Sequence, residues 1–574
     1  MKTILAIVLS VGLFAAVGSA QPTITQISNA GSFSLAPLPN SSIAQGSFFA
    51  IFGTGLGPST AAIWSPYPLP ATLGGSTVSV VAGGATVPAY IFFSVAGQIN
   101  AVLPSNTPTG SAQVTVSFGG QTSAPFTINV TSSSFGTFAI NQAGTGPGVI
   151  TDASYNVITP THPAKPGDAV ILWGTGLGPV DAATEGSAPP TQTDMKDSLS
   201  VKVWVGNQAA SVAYAGRSGY TAEDQIVFTV PQSVKGCYVN VALQTGSAQT
   251  VSNFTSIAVD SSGATCSDDD GIDVADIASK VQSGGSANVG VVGLLSNYLN
   301  ITGLLAVQWD NDTVTGEIGT FSAAALDALQ GFTLAPSVNN CTVSPFQGFP
   351  PAADPALAQV TYLDAGASLN LQGPNGTKPV AKNSNGKGYG GLVGGATIQD
   401  LLQSGGEPPF FLDSTFKISS GTYTVTAPGG SQVGAFSGTI DVSPAAGFSW
   451  TNSSIASNPI PRDQDLKITW TGGDPNGFVN ITAIASTNQS GVPSDTTPGV
   501  LVECIAPSSA GSFTVPSYVL QSLPSTAGSG SLIPPGEILV GPASGAVKIS
   551  PTPSGLDAAY MFYHFIAGTT ATWQ

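Results

Sequence analysis

Histidine sets the first limit on what chemistry this chain can do. In 574 residues only His162 and His564 occur. A Ser-His-Asp site would have to recruit one of them, and an isolated histidine lacks the partners that catalysis requires. No G-x-S-x-G elbow accompanies either one. The four cysteines show no CxxC spacing, so neither zinc nor thioredoxin-like chemistry is expected. A glycosidase needs two carboxylates at a set separation, and spacing alone selects no pair among the 31 acids.

Two acidic stretches carry hard oxygens. In Asp268-Asp269-Asp270-Gly271-Ile272-Asp273, matching Gly271 to the EF-hand glycine puts Cys266 at the first ligand position. It also puts Ile277 where the bidentate glutamate belongs, so an EF-hand is excluded. A looser Ca²⁺ site through Asp268, Asp269, Asp270 and Asp273 stands beside the plainer reading of a solvated acidic linker. Asp310-Asn311-Asp312 is a second candidate and equally suits an ordinary turn. Among the aromatic residues, Trp173, Trp204, Trp309, Trp450 and Trp470 belong mainly to core packing, several of them inside strand patterns. Trp64 and Tyr67, in a proline-rich loop, are the exposed candidates for stacking on a sugar.

The elements around these residues are organised by a phrase that occurs twice. Phe52-Gly53-Thr54-Gly55-Leu56-Gly57-Pro58 returns as Trp173-Gly174-Thr175-Gly176-Leu177-Gly178-Pro179. A dinucleotide fold would place a helix directly after these glycines, but proline follows with no amphipathic run, so a tight β-turn is expected. Each copy follows a strand pattern, 48–52 and 169–173. Each precedes another, 76–81 and 201–205, with Gly83-Gly84 or Gly206-Asn207 as the next turn. A Gln-Ile segment ending in proline then follows, at 98–104 and at 225–231. The offset between copies grows from 121 at the glycines to 127 at Gln98 and Gln225, so the second copy carries extra loop residues. Evenly spaced short strands predict two β-sandwiches, at 21–130 and 131–266.

This wording resembles the TIG/IPT group of immunoglobulin-like domains, as found in secreted acidobacterial proteins of the Solibacter type, over roughly residues 27–260. The segments 321–331 and 470–477 are similar to phrases in the long C-terminal regions of that group. The resemblance implies an extracellular location and an immunoglobulin-like fold. It brings no catalytic motif.

Residues 267–574 form a different module, expected as a β-rich lobe at 267–444 and a further β-sandwich at 445–574. Residues 309–318 read as a hairpin and 323–330 as a short helix capped by Thr320 or Ser322. Residues 364–390 read as a loop containing a strand near 368–371. Asp474-Pro475-Asn476-Gly477 reads as a tight turn between strands. Residues 516–524 hold one helical turn, and 556–566 form a closing strand. The fold class is therefore all-β, with multidomain immunoglobulin-like sandwiches and a β-rich C-terminal module containing a few short helices.

Composition supports this class and narrows the function. Charged residues are only 8% of the chain, apolar residues reach 42%, and Gly 70 and Pro 43 fit short strands and many turns. The net charge of −17 argues against nucleic acid, whose binding rests on Lys and Arg neutralising phosphates. Lys2, the apolar run 4–17 and Gly18-Ser19-Ala20 read as an export signal cleaved before Gln21. No cysteine follows that would take a lipid anchor, and no later stretch is long and apolar enough to span a bilayer. Four cysteines in an exported chain suggest two disulfides, with Cys237–Cys266 and Cys341–Cys504 the favoured pairing of three. The reading is a secreted, non-enzymatic protein for adhesion, extracellular matrix or glycan binding, with a glycan or protein ligand, at the outer surface, in the periplasm or released. The alternative is a polysaccharide-active enzyme with accessory sandwiches.

Overall fold

The structure is a computed structural model. It describes residues 21–574 except 65–66, 182–184, 188–189, 269–276, 278–279, 282–284, 302–306, 323–335, 349–359, 396–416, 443–446, 488–489, 492–495, 529 and 532–534. It is all-β, with a few short helical turns such as Ser517–Leu520. Among the described residues no helix is long and apolar enough to cross a membrane.

The first sandwich alternates apolar and polar residues, and that period-two pattern decides its layers. One sheet orders its strands Thr23–Asn29, Phe48–Thr54, Gln98–Val102, Tyr90–Val95, Ala62–Ile63. The facing sheet runs Ile43–Ala44, Phe126–Thr131, Gly110–Phe118, Ser76–Ala82, Thr72–Leu73. Phe49, Ile51, Val78, Val80, Val114 and Val116 are sealed between them. Each such side chain contributes about 2 kcal/mol by leaving water. Gly83-Gly84 closes a two-residue hairpin with both φ values positive, as the twist of such turns demands.

The second sandwich repeats the plan with one change. Its strand Gln208–Arg217 pairs first with Lys202–Val205 and then, from Ser211 onward, with Asp224–Thr229, with a bulge at Val212/Tyr214 inside the second pairing. It therefore passes from one layer to the other without a break. In the first sandwich the same stretch is cut at Pro88, which has no N–H for the ladder, into Ala85–Pro88 and Tyr90–Val95.

The C-terminal module is built on one large sheet that crosses the boundary drawn from sequence at 444/445. Its order is Cys341–Gln347, Pro498–Pro507, Phe478–Ser486, Gly536–Ala543, Ala558–Thr570, Ser286–Ile301, Val307–Ser322, Thr361–Tyr362. A four-stranded sheet from 368–442 packs on the 286–322 half, through Leu294, Val314, Leu369 and Tyr423. A three-stranded sheet, Ser449–Trp450, Leu466–Thr471 and Ser512–Val515, packs with its neighbours on the other half, around Trp470, Ile481 and Trp573.

Several local expectations change. Residues 309–318 form no hairpin: they lie inside the 16-residue strand Val307–Ser322, paired along its length with Ser286–Ile301. Thr320 and Ser322 are strand residues, and the helix expected at 323–330 lies outside the described residues. Part of the loop expected at 364–390 is a hairpin, Ser368–Gly373 with Gly376–Ala381. The 474–477 turn forms, closed by Gly477 N–H to the Asp474 carbonyl at 2.9 Å, but it joins strands of two different sheets.

Both disulfides are present, Cys237–Cys266 and Cys341–Cys504. The second joins directly paired residues of neighbouring strands and closes a sequence separation of 163. In the chain-entropy picture a loop of that size is worth about 5 kcal/mol, and the shorter one about 3.5 kcal/mol.

A candidate ligand cleft where the two repeats meet

The two glycine turns place their leucines identically and satisfy them differently. Leu56 and Leu177 are fully buried in their own sandwich cores. In the first repeat the hairpin after Tyr90–Val95 is only Ala96-Gly97, and the Ala96 carbonyl accepts the Leu56 N–H at 2.9 Å. In the second, the corresponding hairpin is enlarged to Ser218 through Glu223. There the Leu177 N–H donates to the Asp224 carboxylate at 2.8 Å. Arg217, wholly buried, pairs with Asp224 at 2.6 Å and donates to the Gly178 carbonyl at 2.7 Å. Burial pushes the Asp224 carboxyl up to about 6, against the opposing pull of the Arg217 guanidinium and the backbone N–H groups of Leu177 and Gly176.

The same region fastens the repeats together. Thr175 Oγ1 accepts the Phe48 N–H at 2.9 Å and donates to the Ala222 carbonyl at 2.6 Å. Glu185 accepts from Ser105 N–H at 2.6 Å and from Ser105 Oγ at 2.8 Å, and burial raises its pKa above the usual carboxylate range. Asn29 reaches across to the Ser134 carbonyl at 3.1 Å. These contacts are buried and directional, and they hold the two repeats in one arrangement. The far side of the second sandwich is fixed as well. Tyr518 of the C-terminal module stacks on Trp204, with centroids 4.7 Å apart and planes 5° apart.

The enlarged hairpin faces the proline-rich loop of the first repeat, and a cleft of about 430 Å³ opens between them. On the first-repeat side its wall is a ring cluster. Trp64 lies 5.1 Å from Tyr67 and 5.2 Å from Phe92, and Phe92 lies 5.5 Å from Phe48. The opposing wall brings Phe138, Tyr220, Thr221 and Glu223. The Tyr67 hydroxyl contacts Thr221 Oγ1 at 2.9 Å and closes one end. Glu223 accepts a hydrogen bond from Ser218 Oγ at 2.8 Å, and burial raises its carboxyl above the ordinary range. Among the described residues no lysine or arginine pairs with it. A second cavity of about 380 Å³ lies behind the hairpin, along Glu185, Met195 and Arg217.

The structure thus brings Trp64 and Tyr67 together, half-buried in a cleft instead of standing free on a loop. Sequence reasoning missed Phe48, Phe92, Tyr220 and Glu223. The available signal was the growing offset between the copies, which marks the hairpin that forms the second wall. The acidic residues fare otherwise. Asp268 accepts the Cys237 N–H at 2.9 Å and so braces the shorter disulfide, while Asp269, Asp270 and Asp273 lie outside the described residues. Asp310-Asn311-Asp312 is neither a turn nor a cation loop. Asp312 is buried against Ser296 and the Ile418 N–H, and Asp310 pairs with Lys417. No metal-binding cluster occurs among the described residues. His162 is a surface partner of Asp152, and buried His564 is pushed down to about 4 by desolvation. Glu503 and Glu537 lie on one face of the large sheet, and loss of water around them pushes both carboxyls up to about 7. The strand Phe478–Ser486 separates them, which sets their Cα atoms roughly 12 Å apart.

No family model and no curated protein matches the chain. Among solved structures, domains 5–6 of the S-layer protein SbsC are similar at 14% identity, covering 42% of this chain and 98% of that one, with a TM-score of 0.14. The adhesin InvE of Yersinia pseudotuberculosis is similar at 14% identity, over 41% and 58%, with a TM-score of 0.12. A stretch of titin domains is similar at 8% identity, over 67% and 89%, also at 0.12. Likenesses this slight carry no argument, and the all-β assignment rests on the strands themselves.

Proposed function

We propose that this is a secreted, non-enzymatic protein of tandem immunoglobulin-like domains of the TIG/IPT type, acting in adhesion or extracellular matrix, and that it binds a glycan in the cleft between its repeats. The observation that carries the reading is the cleft itself. A wall of Trp64, Phe92 and Phe48 offers the flat apolar surface that covers one face of a pyranose ring. Asn100, Tyr220 and Glu223 line the same cleft and supply polar groups that sugar hydroxyls can pair with. Its volume lies within the range of small-ligand sites, and the joint holds it open without a ligand. Two disulfides suit an oxidising compartment, as the export signal does.

Affinity electrophoresis of residues 21–574 through a panel of polysaccharides tests this. Retardation by at least one glycan, weakened at least about tenfold by Trp64→Ala, is the expected result, since a buried aromatic anchor is typically worth 2 kcal/mol or more. No retardation anywhere sinks the glycan reading. A chelator arm tests Ca²⁺ at the acidic segment 268–273. The second reading, a polysaccharide-active enzyme, draws on the raised carboxyls of Glu503 and Glu537. Release of sugar from the same gels, lost in Glu503→Gln or Glu537→Gln, would replace the first reading with it.

A further inference from the structure

Resting on the glycan reading of the cleft, we propose that its ligand is a cationic amino sugar: a hexosamine with a free ammonium group, its ring against Trp64 and Phe92 and its ammonium on the Glu223 carboxylate. The argument starts from charge. Among the described residues, Glu223 is the one charged residue in the lining of the cleft. A carboxylate offers about four acceptor positions, and among the described residues Ser218 Oγ is the side-chain donor that fills one of them. A neutral ring seated in the cleft would strip the remaining water from that carboxylate and return no charge, which is unfavourable. A uronic acid or sulfated sugar would add like charge beside it, on a protein that already carries −17. An ammonium group reverses both penalties. It pairs with the carboxylate through a charge-assisted hydrogen bond and lies among ring faces whose quadrupoles attract cations. Burial already raises the Glu223 pKa, which marks a carboxylate short of a positive partner. The neighbouring Asp224 does not compete, because Arg217 is committed to it. The cleft, at about 430 Å³, has room for a pyranose and part of its neighbour.

The test uses two ligands of equal length and ring type that differ in charge: the β-1,4 tetramer of glucosamine and the tetramer of N-acetylglucosamine. Calorimetric titration of residues 21–574 at neutral pH and 0.15 M salt should show the glucosamine tetramer binding at least ~10-fold tighter, the size of one charge-assisted hydrogen bond. Glu223→Gln should erase that preference, Glu223→Asp should keep part of it, and Trp64→Ala should weaken whatever binding is seen. Circular dichroism and the urea midpoint of each variant show whether it is folded. Equal binding of the two tetramers overturns the inference. So does a preference that survives in Glu223→Gln, because the field of the whole acidic protein would then explain it. If neither tetramer binds while another polysaccharide retards the protein, the amino-sugar inference falls and the glycan reading stands. If no polysaccharide is bound at all, both fall.

Discussion

The first and second repeats solve one problem, a leucine N–H sealed inside a sandwich, at different cost. The first uses a neighbouring backbone carbonyl, Ala96, and needs no charge. The second uses Asp224, and a buried carboxylate then requires buried Arg217. The costlier solution frees the hairpin from its tight Ala96-Gly97 geometry. Residues 218–223 can then grow outward, touch the first repeat and wall a cleft. The repeated phrase keeps the sandwich, and the departure from it in the second copy walls the cleft.

The sharpest way to break this comparison is Arg217→Met, which leaves Asp224 buried and unpaired. We expect a loss of about 3–5 kcal/mol in urea unfolding, the usual cost of removing one partner of a buried pair. The first repeat has no charged residue, and so no buried ion pair whose loss could compare. Next come the leucines. Leu56→Ala and Leu177→Ala should each cost about 2–5 kcal/mol by opening a core cavity, and a large inequality would show that the turns are not equivalent in packing.

A third test uses pH. The Asp224 carboxyl sits at about 6 when folded against an ordinary 3.8, so between those values the folded state holds a proton that the unfolded chain has lost. Stability from this group is therefore full below about pH 4 and is lost as pH rises through about 6. His564 acts with the opposite sign: held near 4 against 6.5, it favours the folded state above 6.5 and loses that contribution as pH falls toward 4. The difference between native protein and Asp224→Asn across pH 4–6.5 isolates the first effect. A pH-independent difference would count against it.

The smallest effect compares the threonines of the two phrases. Thr175 is buried and bridges the repeats, whereas Thr54 is exposed. Thr175→Val should cost about 1–3 kcal/mol by orphaning the Phe48 N–H and the Ala222 carbonyl. Thr54→Val should stay within about 0.5 kcal/mol.

The sandwiches were legible because their signals are local. Alternation at 76–82 and 112–118 and paired glycines at 83–84 each state an element within a few residues. The cleft was legible only in half. Trp64 and Tyr67 announced themselves by type, but Glu223 and Tyr220 gain meaning only when two domains meet, and no local pattern encodes that meeting. The large sheet was hidden for the same reason. Ser286–Ile301 pairs with Ala558–Thr570, partners more than two hundred and fifty residues apart. Asp310-Asn311-Asp312 misled because turn-forming residues can sit in a strand once Ser296 and Lys417 satisfy their side chains.

That parallel pairing has a consequence in time. Ala558–Thr570 stands in the middle of the large sheet, between Gly536–Ala543 and Ser286–Ile301. A chain synthesised from its N-terminus delivers 286–322 long before the strand that must lie beside it. The two sandwiches can close as they emerge, since their pairings are short in sequence. The C-terminal module must wait with an apolar edge open until residue 570 has been made, and long-range pairing of this kind is intrinsically slow and prone to aggregation. Its assembly is thus an event at the end of synthesis, and the open edge of Ser286–Ile301 is the surface most exposed to mispairing in that interval.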